Sequence, residues 1–197
     1  MSLKKILITG FDPFGGETVN PSWECIKALP DETGNAKLFK LQLPTVYGKA
    51  AESAINAAEE IRPDVILCVG QAGGRKDVTP EMVGINVRDA KIADNEGRFA
   101  SGEKICEDGE TAYFTTIGAR IIAEKLGKKG LPCSVSYSAG TFVCNDLLYS
   151  LLRRFDGEAV RIGFVHVPFF PEQAAEGVPS LDKEKTVEVL REIIDLV

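Results

Sequence analysis

The sequence of 197 residues contains one histidine and no long apolar run. A single imidazole excludes a metal site built from several histidines. No segment approaches the roughly 18 apolar residues that a membrane-spanning helix needs. The apolar run that follows Lys4 and Lys5 is interrupted by Thr9 and Gly10, so it is too short for a secretory signal. We therefore expect a cytoplasmic protein that does not interact with membranes.

Paired cysteines and a basic surface are also missing. The five cysteines are an odd number without CxxC spacing, which argues against a zinc site and a disulfide framework. Unpaired cysteines are typical of a reducing compartment. The formal net charge is −6, and the lysines and arginines are scattered. Because a nucleic-acid-binding protein needs a basic stripe, we do not expect nucleic acid as a partner. The single histidine and the cysteine spacing likewise lead us to expect no bound metal.

Short apolar segments rich in β-branched residues alternate with helical patterns along the chain. The predicted strands are residues 6–11, 38–46, 65–70, 83–87, 134–137 and 162–167. The first predicted helix, residues 21–29, follows Asn20, a favourable cap, with Pro21 at or near the first helical position. Helices are also predicted over residues 48–61 and 111–126 and from the apolar stripes at 147–155 and 187–194. This alternation predicts an α/β fold with a mostly parallel sheet covered on both faces.

The length and the lack of a linker predict one domain, residues 1–197. The polar, glycine-containing segment 94–108 is expected to be a long loop or a hairpin. In a fold of this class, ligands bind beyond the carboxyl ends of the strands. The loops that follow the strands are therefore expected to carry the chemistry.

Cys144 lies where an apolar segment turns into an amphipathic helix, in the stretch SAGTFVCNDLLYSLLRRF. Free N–H groups and the helix dipole at a helix start favour a thiolate, although Asp146 would oppose this if its carboxylate faced the sulfur. A small cysteine packed in the core explains the same pattern equally well. Cys25 and Cys68 lie inside apolar patterns and are expected to be packing residues.

His166, in GFVHVPFF, lies near the end of the last predicted strand. A hydrogen-bonded core histidine is the simpler interpretation, but no other imidazole is available as the base of a cysteine nucleophile. Glu81, in TPEMVGINV, is placed to orient an imidazole by accepting its second N–H. A solvated loop carboxylate accounts for Glu81 as well.

Two glycine-rich segments follow predicted strands: GFDPFGGETVNPS from Gly10, and GQAGGR from Gly70 to Arg75. Neither contains GK[ST] or GxGxxG, so nucleotide binding has little support. Phe11 and Phe14, together with Phe142 beside Cys144, indicate a small flat apolar pocket, although core packing explains single aromatic residues. The second segment is either a close-approach site for a ligand or a plain tight turn.

Several long motifs occur in a characteristic order: GFDPFGG with NPS, GQAGGR with TPE, INVRDAKIADNEG, SAGTFVCN, and FVHVPF with PEQ. Together they resemble the pyroglutamyl peptidases, also called pyrrolidone carboxyl peptidases, from about Ile6 to Gln173. The resemblance implies a three-layer α/β/α sandwich with a mostly parallel central sheet. It also implies removal of the N-terminal pyroglutamyl residue from peptides, no cofactor, and a homotetramer.

The resemblance further implies roles for individual residues. It makes Cys144 the nucleophile, His166 the general base and Glu81 the acid that orients the imidazole. The positions that match the family's lactam pocket or its surroundings are Phe11, Phe14, Gln71, Lys91, Ile92, Phe142 and Val143. Lys91 stands where several relatives carry arginine, so a positive charge is retained without a planar bidentate group.

A pyroglutamyl group is a neutral lactam, so its site should offer apolar walls, one or two amide partners and no carboxylate. The expected reaction is attack by the Cys144 thiolate to give a thioester, with His166 first protonating the leaving amine and then activating water. The backbone N–H of Cys144 is the expected oxyanion donor. Two alternatives are a nucleoside- or phosphate-handling enzyme on a similar sandwich, and a catalytically inactive ligand-binding module.

Overall fold

The computed structural model describes residues 3–197. Within that range the chain forms a six-stranded sheet, a separate two-stranded sheet and five helices. The strands are β1 (Lys4–Phe11), β2 (Glu32–Thr33), β3 (Ala36–Leu43), β4 (Val65–Gln71), β5 (Thr79–Pro80), β6 (Val83–Ile85), β7 (Ala112–Phe114) and β8 (Arg161–Val167). The helices are α1 (Pro21–Ala28), α2 (Lys49–Ile61), α3 (Ala119–Lys128), α4 (Val143–Arg154) and α5 (Lys183–Leu196).

The strand order of the main sheet is β2-β3-β1-β4-β8-β5. Its four central strands, β3, β1, β4 and β8, are parallel, and the two short edge strands are antiparallel to their neighbours. The carboxyl ends of the central strands therefore lie at one edge of the sheet. The sequence-based prediction of an α/β fold with a mostly parallel sheet is confirmed.

Side chains of the central strands alternate between two apolar cores, as the period of a β-strand requires. Along β1, Ile6 and Ile8 belong to the core that is covered by α1, α3 and α5. Leu7 and Phe164 belong to the opposite core, which is covered by α2 and α4. Helices therefore cover both faces of the sheet, which confirms the three-layer sandwich.

Helix α1 begins where its sequence signals place it. The side-chain oxygen of Asn20 accepts the N–H of Ser22 at 3.1 Å, and Pro21 occupies the first helical position. The side-chain amide of Asn20 also donates to the Asp12 carbonyl at 2.9 Å. This cap therefore joins the start of α1 to the loop that follows β1.

The predicted helix over 111–126 is wrong in its first half. Residues 112–114 form β7, and α3 begins only at Ala119. Tyr113 pairs with Gly84 of β6, and its ring lies 5.3 Å from that of Tyr149. Gly118, with φ of 81°, directly precedes the helix in a left-handed conformation. Tertiary pairing of aromatic and β-branched residues has thus overridden the apolar spacing of this segment.

The predicted strand over 134–137 is also wrong, because the segment forms only isolated bridges. It runs beside β5, where Ser134 N–H donates to Val78 and Ser136 N–H donates to Pro80. Pro80 has no N–H to return, so a continuous ladder cannot form. The predicted strand over 83–87 is shorter than expected and lies in the separate sheet with β7.

The loop predicted over 94–108 is confirmed, since only one isolated bridge, between Arg88 and Glu103, involves it. Asp94 holds the loop against the body of the protein by accepting the N–H of Tyr47 at 3.1 Å. Among the helices between residues 3 and 197, none has the length and apolar character required to cross a membrane.

Candidate active site

Cys144 is the second residue of α4, so the helix start predicted from the sequence is confirmed. Its sulfur lies against β4 at Gly70. A Cβ atom at position 70 would lie 2.9 Å from Cys144 Sγ and 2.7 Å from the ring of Phe164. The absence of a side chain at Gly70 therefore provides the space that the thiol occupies.

His166 is the register partner of Gly70 in the neighbouring strand β8. Residues two apart in a strand share a face, so His166 lies on the same face as Phe164, toward α4. His166 and Cys144 line one cavity. The β4–β8 register thus brings together two residues that are 22 positions apart in the sequence.

Glu81 lies behind His166 and is fully buried. Nδ1 of His166 is 2.7 Å from Glu81 Oε1. An ionised carboxylate only accepts hydrogen bonds, so Nδ1 carries the imidazole proton and Nε2 presents its lone pair. The position of Glu81 is fixed by its backbone N–H, which donates to the Phe164 carbonyl at 2.9 Å.

Burial and charge act in opposite directions on this pair. Burial favours a neutral Glu81, but His166 first, then the Ser136 hydroxyl and the charge of Arg75, outweigh it, so the pKa of Glu81 lies below its ordinary value. Burial also lowers the pKa of His166, and the carboxylate of Glu81 only partly opposes this. At neutral pH the pair therefore consists of a carboxylate and a neutral imidazole.

The protonation of Cys144 differs from the sequence-based expectation of a thiolate. Burial, followed by the negative charge of Glu81, raises the pKa of Cys144 to about 12. Asp146 does not face the sulfur, because its carboxylate accepts hydrogen bonds from Gly48 and Arg88. Desolvation thus outweighs the helix start, and the unliganded site holds a thiol beside a neutral imidazole.

The cavity between these residues has a volume of about 280 Å³. Its lining residues are Phe11, Phe14, Asn20, Thr45, Gln71, Ala72, Arg75, Ser138, Ala139, Gly140, Thr141, Phe142, Cys144 and His166. The rings of Phe14 and Phe142 form one wall, with centroids 5.8 Å apart. None of the described residues that line it is aspartate or glutamate, and Gln71 Oε1 is buried without a hydrogen-bond partner.

The predicted site residues fall into two groups in the structure. Those that line the cavity are Phe11, Phe14, Gln71, Phe142, Cys144 and His166. Glu81 does not line the cavity but contacts two residues that do, His166 and Arg75. Lys91 and Ile92 are exposed, the side chain of Val143 is buried in the core, and these three residues do not line the cavity.

Sequence reasoning missed two kinds of cavity residue. Asn20 was expected only to cap α1, and Thr45 was not considered, although both line the cavity. Arg75 ends the GQAGGR segment, and its Nη1 lies 2.7 Å from Glu81 Oε1. Its position at a strand exit was the only signal available, since spacing does not show which carboxylate an arginine meets.

Of the four remaining cysteines, Cys25, Cys68 and Cys133 are buried and Cys106 is not. Cys25 and Cys68 are fully buried in the cores, which confirms the sequence-based expectation. Burial raises the pKa of each to about 12. Cys106 is partly exposed and donates through its sulfur to Asp108 at 2.9 Å. None of these cysteines lines the cavity that contains His166.

A larger cavity, of about 450 Å³, lies between the C-terminal ends of α2 and α4. Both carboxylates of its lining pair with Arg154, Glu59 at 2.5 Å and Glu158 at 3.0 Å. No cysteine or histidine of the described chain lines it. This cavity is therefore not a competing candidate for a catalytic site.

Comparison with known proteins agrees with this arrangement. A family model described as pyroglutamyl peptidase matches residues 4–197. A pyrrolidone-carboxylate peptidase of Bacillus licheniformis is 50% identical over 192 residues, which cover 95% of this chain and 89% of the relative. One of Lactobacillus johnsonii is 51% identical over 181 residues, which cover 90% of this chain and 84% of the relative.

Solved structures show the same relationship. The pyroglutamyl peptidase I of Bacillus amyloliquefaciens superposes with a TM-score of 0.94 at 45% identity, covering 98% of this chain and 94% of that one. The pyrrolidone carboxyl peptidase of Thermococcus litoralis gives 0.92 at 34% identity, covering 98% and 93%. These proteins are peptidases by name. The chain belongs to the pyroglutamyl peptidase family.

Proposed function

We propose that this protein is a cysteine exopeptidase that hydrolyses the bond after an N-terminal pyroglutamyl residue of peptides. Cys144 is the nucleophile, His166 the general base and acid, and Glu81 the residue that orients the imidazole. The observation that supports this best is the cavity that Cys144 and His166 share, with His166 hydrogen-bonded to the buried Glu81. Family membership supports the same assignment.

The protonation states define how the reaction starts. Cys144 is a thiol and His166 is neutral, so Nε2 takes the thiol proton as the sulfur attacks the pyroglutamyl carbonyl. The C–S bond forms, the carbonyl oxygen becomes an oxyanion, and the carboxylate of Glu81 stabilises the imidazolium. The imidazolium then protonates the amine as the C–N bond breaks, which leaves a thioester.

Hydrolysis of the thioester reverses the proton transfers. His166 removes a proton from water as the water oxygen attacks the thioester carbonyl. The C–S bond then breaks, and the sulfur regains its proton from the imidazolium. The products are pyroglutamic acid and the shortened peptide. Each step uses only water and groups of the chain.

The oxyanion needs a hydrogen-bond donor near Cys144. Because Cys144 is in the first turn of α4, its backbone N–H has no partner within the helix. Across residues 3–197, no carbonyl accepts a hydrogen bond from this N–H. We assign it as the oxyanion donor, a role worth about 2.7–4 kcal/mol of transition-state stabilisation in comparable enzymes.

The cavity suits a neutral lactam better than a free amino terminus. Its aromatic wall, Phe14 and Phe142, matches the flat ring, and its lining includes no carboxylate for an ammonium group. Arg75, the charged residue of the described lining, would repel such a group. Gln71 Oε1 is a buried acceptor without a partner, and the lactam N–H would satisfy it. Lys91, Ile92 and Val143 remain proposed substrate-binding positions.

The assignment predicts selective cleavage of pyroglutamyl amides. Release of a fluorescent amine from pyroglutamyl, prolyl and glutamyl amides measures it directly. We expect turnover of the pyroglutamyl amide alone, because proline lacks the lactam carbonyl and glutamate carries an ammonium group. Discrimination by a site whose polar groups would be left unpaired reaches about 10⁴-fold.

Two variants test the assignment of the nucleophile. Cys144→Ser should reduce kcat to the background rate, whereas the matched control Cys106→Ser, at a cysteine outside the cavity, should retain activity. Equal turnover of the pyroglutamyl and prolyl amides, or full activity of Cys144→Ser, would contradict the proposal. A folded, inactive wild type would favour a ligand-binding module instead.

The remaining proposals concern where and in what form the protein acts. We propose that it is cytoplasmic, which the unpaired state of its five cysteines supports. We also propose a homotetramer, because the family resemblance implies one and because Phe114 and Ile121 expose large apolar side chains. Light scattering in solution measures the mass, and a monomer at micromolar concentration would contradict the tetramer.

A further inference from the structure

Arg75 connects three parts of the candidate site. It lies in the segment between β4 and β5, and its Nη1 donates to Glu81 Oε1 at 2.7 Å. Nη1 also donates to the hydroxyl of Thr79, and Nη2 donates to the Ser138 carbonyl at 3.2 Å. Its side chain is 29% exposed and lines the cavity.

We propose that Arg75 is a positioning residue of the catalytic site, which holds Glu81 in the orientation and charge state that His166 requires. Through Ser138, it also ties this carboxylate to the loop that leads into Cys144. This inference rests on the proposed roles of Cys144, His166 and Glu81.

The hydrogen bonds of Glu81 show why a second partner is needed. His166 and Arg75 both donate to Oε1, whereas Oε2 is buried without a hydrogen-bond partner among the described residues. A buried carboxylate with so few donors would otherwise tend to take up a proton. The guanidinium opposes this, because its positive charge lies against the oxygen that receives the imidazole.

The charge of Glu81 determines which nitrogen of His166 carries the proton. While Glu81 is ionised, it accepts from Nδ1–H, and Nε2 remains available as a base. A protonated Glu81 would instead donate to Nδ1. The imidazole proton would then move to Nε2, and His166 could no longer accept the proton of Cys144. Arg75 thus protects the productive tautomer.

Arg75 also affects the pKa values of His166 and Cys144. The titratable or charged groups that face one another here are Glu81, His166 from β8, Cys144 from α4, Cys68 from β4, and Arg75 itself. The positive charge of Arg75 lowers the pKa values of Glu81, His166 and Cys144. Removing it should therefore raise all three values together.

The contact with Ser138 extends the role to the nucleophile. Residues 138–142 form the loop that leads into α4, with Gly140 in a left-handed conformation at φ of 75°. On its other side, the loop exchanges hydrogen bonds with Asp89: Asp89 N–H donates to the Thr141 carbonyl at 3.0 Å, and the Thr141 hydroxyl donates back. Arg75 thus holds one side of the loop that delivers Cys144, where the Ser136 hydroxyl also donates to the Ser138 carbonyl at 3.2 Å, and Asp89 holds the other side.

The test compares Arg75→Gln, which removes the charge, with Arg75→Lys, which retains it. The readout is the pH dependence of kcat/KM for a pyroglutamyl amide. For Arg75→Gln we expect both limbs of the bell-shaped profile to move to higher pH. We also expect kcat at the optimum to fall about tenfold to a hundredfold, as for the loss of a charged hydrogen bond.

Arg75→Lys should keep the limbs at their wild-type pH. Its kcat should lie between those of Arg75→Gln and the wild type, because an ammonium group cannot reproduce the fork that joins Glu81 to Ser138. Arg120→Gln is the matched control, since Arg120 is an exposed arginine that pairs with Glu124 in α3. It should leave both the height and the position of the profile unchanged.

Three outcomes would overturn the inference. A lower kcat in Arg75→Gln with unmoved limbs would show a purely structural role, and an unchanged kcat would show no role. If Arg75→Gln does not fold, as judged by circular dichroism, a wild-type kcat in Arg75→Lys would remove the bridging role. An inactive wild type would instead refute the proposed function, so the two failures are distinguishable.

Discussion

Residues 3–197 contain two fully buried carboxylates that pair with arginine, and the two have different roles. Asp146 in α4 pairs with Arg88, and Glu81 pairs with Arg75 and His166. Both carboxylate side chains have 0% exposure. Burial of charge therefore does not identify the catalytic group by itself.

The difference lies in how completely each carboxylate is hydrogen-bonded. Asp146 Oδ1 accepts from Arg88 Nε at 2.7 Å and lies 2.6 Å from its Nη2, while Oδ2 accepts the N–H of Gly48 at 2.7 Å. Both oxygens are satisfied, and the group joins α4 to the start of α2. Among residues 3–197, Glu81 instead has two donors on Oε1 and no hydrogen-bond partner on Oε2. We infer that a saturated buried charge supports the fold, while an unsaturated one lies where protons move.

Exchange of Glu81 for glutamine should produce the larger effect on catalysis. Glu81→Gln keeps the shape of the side chain but cannot stabilise an imidazolium or fix the tautomer of His166. We expect kcat for a pyroglutamyl amide to fall by about 10²- to 10⁴-fold. Steady-state kinetics of the purified variant measure this effect. A fall in kcat of less than about tenfold would show that Glu81, like Asp146, has only a structural role.

Asp146→Asn provides the matched control. It leaves the guanidinium of Arg88 without its charge partner, and breaking a buried pair in this way costs about 3–5 kcal/mol of unfolding free energy. We expect kcat of the folded fraction to stay well above that of Glu81→Gln. Urea unfolding and active-site titration separate the two quantities. A lower kcat for Asp146→Asn than for Glu81→Gln would show that Glu81 is not the catalytic carboxylate of the two.

The pH dependence of stability should show a smaller effect. In the folded protein, the pKa of His166 lies below its ordinary value of 6.5, and that of Glu81 lies below 4.5. At a pH between the folded-state and the unfolded-state pKa of either group, the unfolded chain binds more protons than the folded protein. The unfolding free energy should therefore fall as the pH drops below about 6.5, and fall further below about 4.5.

His166→Asn tests the first of these two steps. Its unfolding free energy, measured by urea titration at several pH values, should lose the decline that begins near pH 6.5 in the wild type. The decline below about 4.5 should become smaller as well, because His166 contributes most to the lowered pKa of Glu81. An unaltered decline near pH 6.5 would show that the imidazole is as easily protonated in the fold as in the unfolded chain.

Much of the fold was predictable because local signals and tertiary packing agree in the central strands. The cap at Asn20 and the alternation of strands with helices correctly indicated a covered parallel sheet. The errors occurred where long-range partners decide the structure. Residues 112–114 become a strand because β6 is available to pair, and residues 134–137 fail to become one because Pro80 lacks an N–H.

The candidate site was predictable to a similar degree. The motifs selected Cys144, His166 and Glu81, and the structure places all three at one end of the sheet. Sequence spacing did not predict the contact between Arg75 and Glu81, because it depends on how the β4–β5 segment folds back. The protonated state of Cys144 was also missed, since a helix start is visible in the sequence but desolvation is not.

The rarity of histidine in this chain makes the protein its own spectroscopic label. Every imidazole resonance in a proton NMR spectrum of the untagged chain must come from His166. Tautomer, ionisation and ligand contact at the candidate acid–base group can therefore be read without isotope-assisted assignment. A change in that one signal would report protonation or ligand binding at His166 without overlap from any other imidazole.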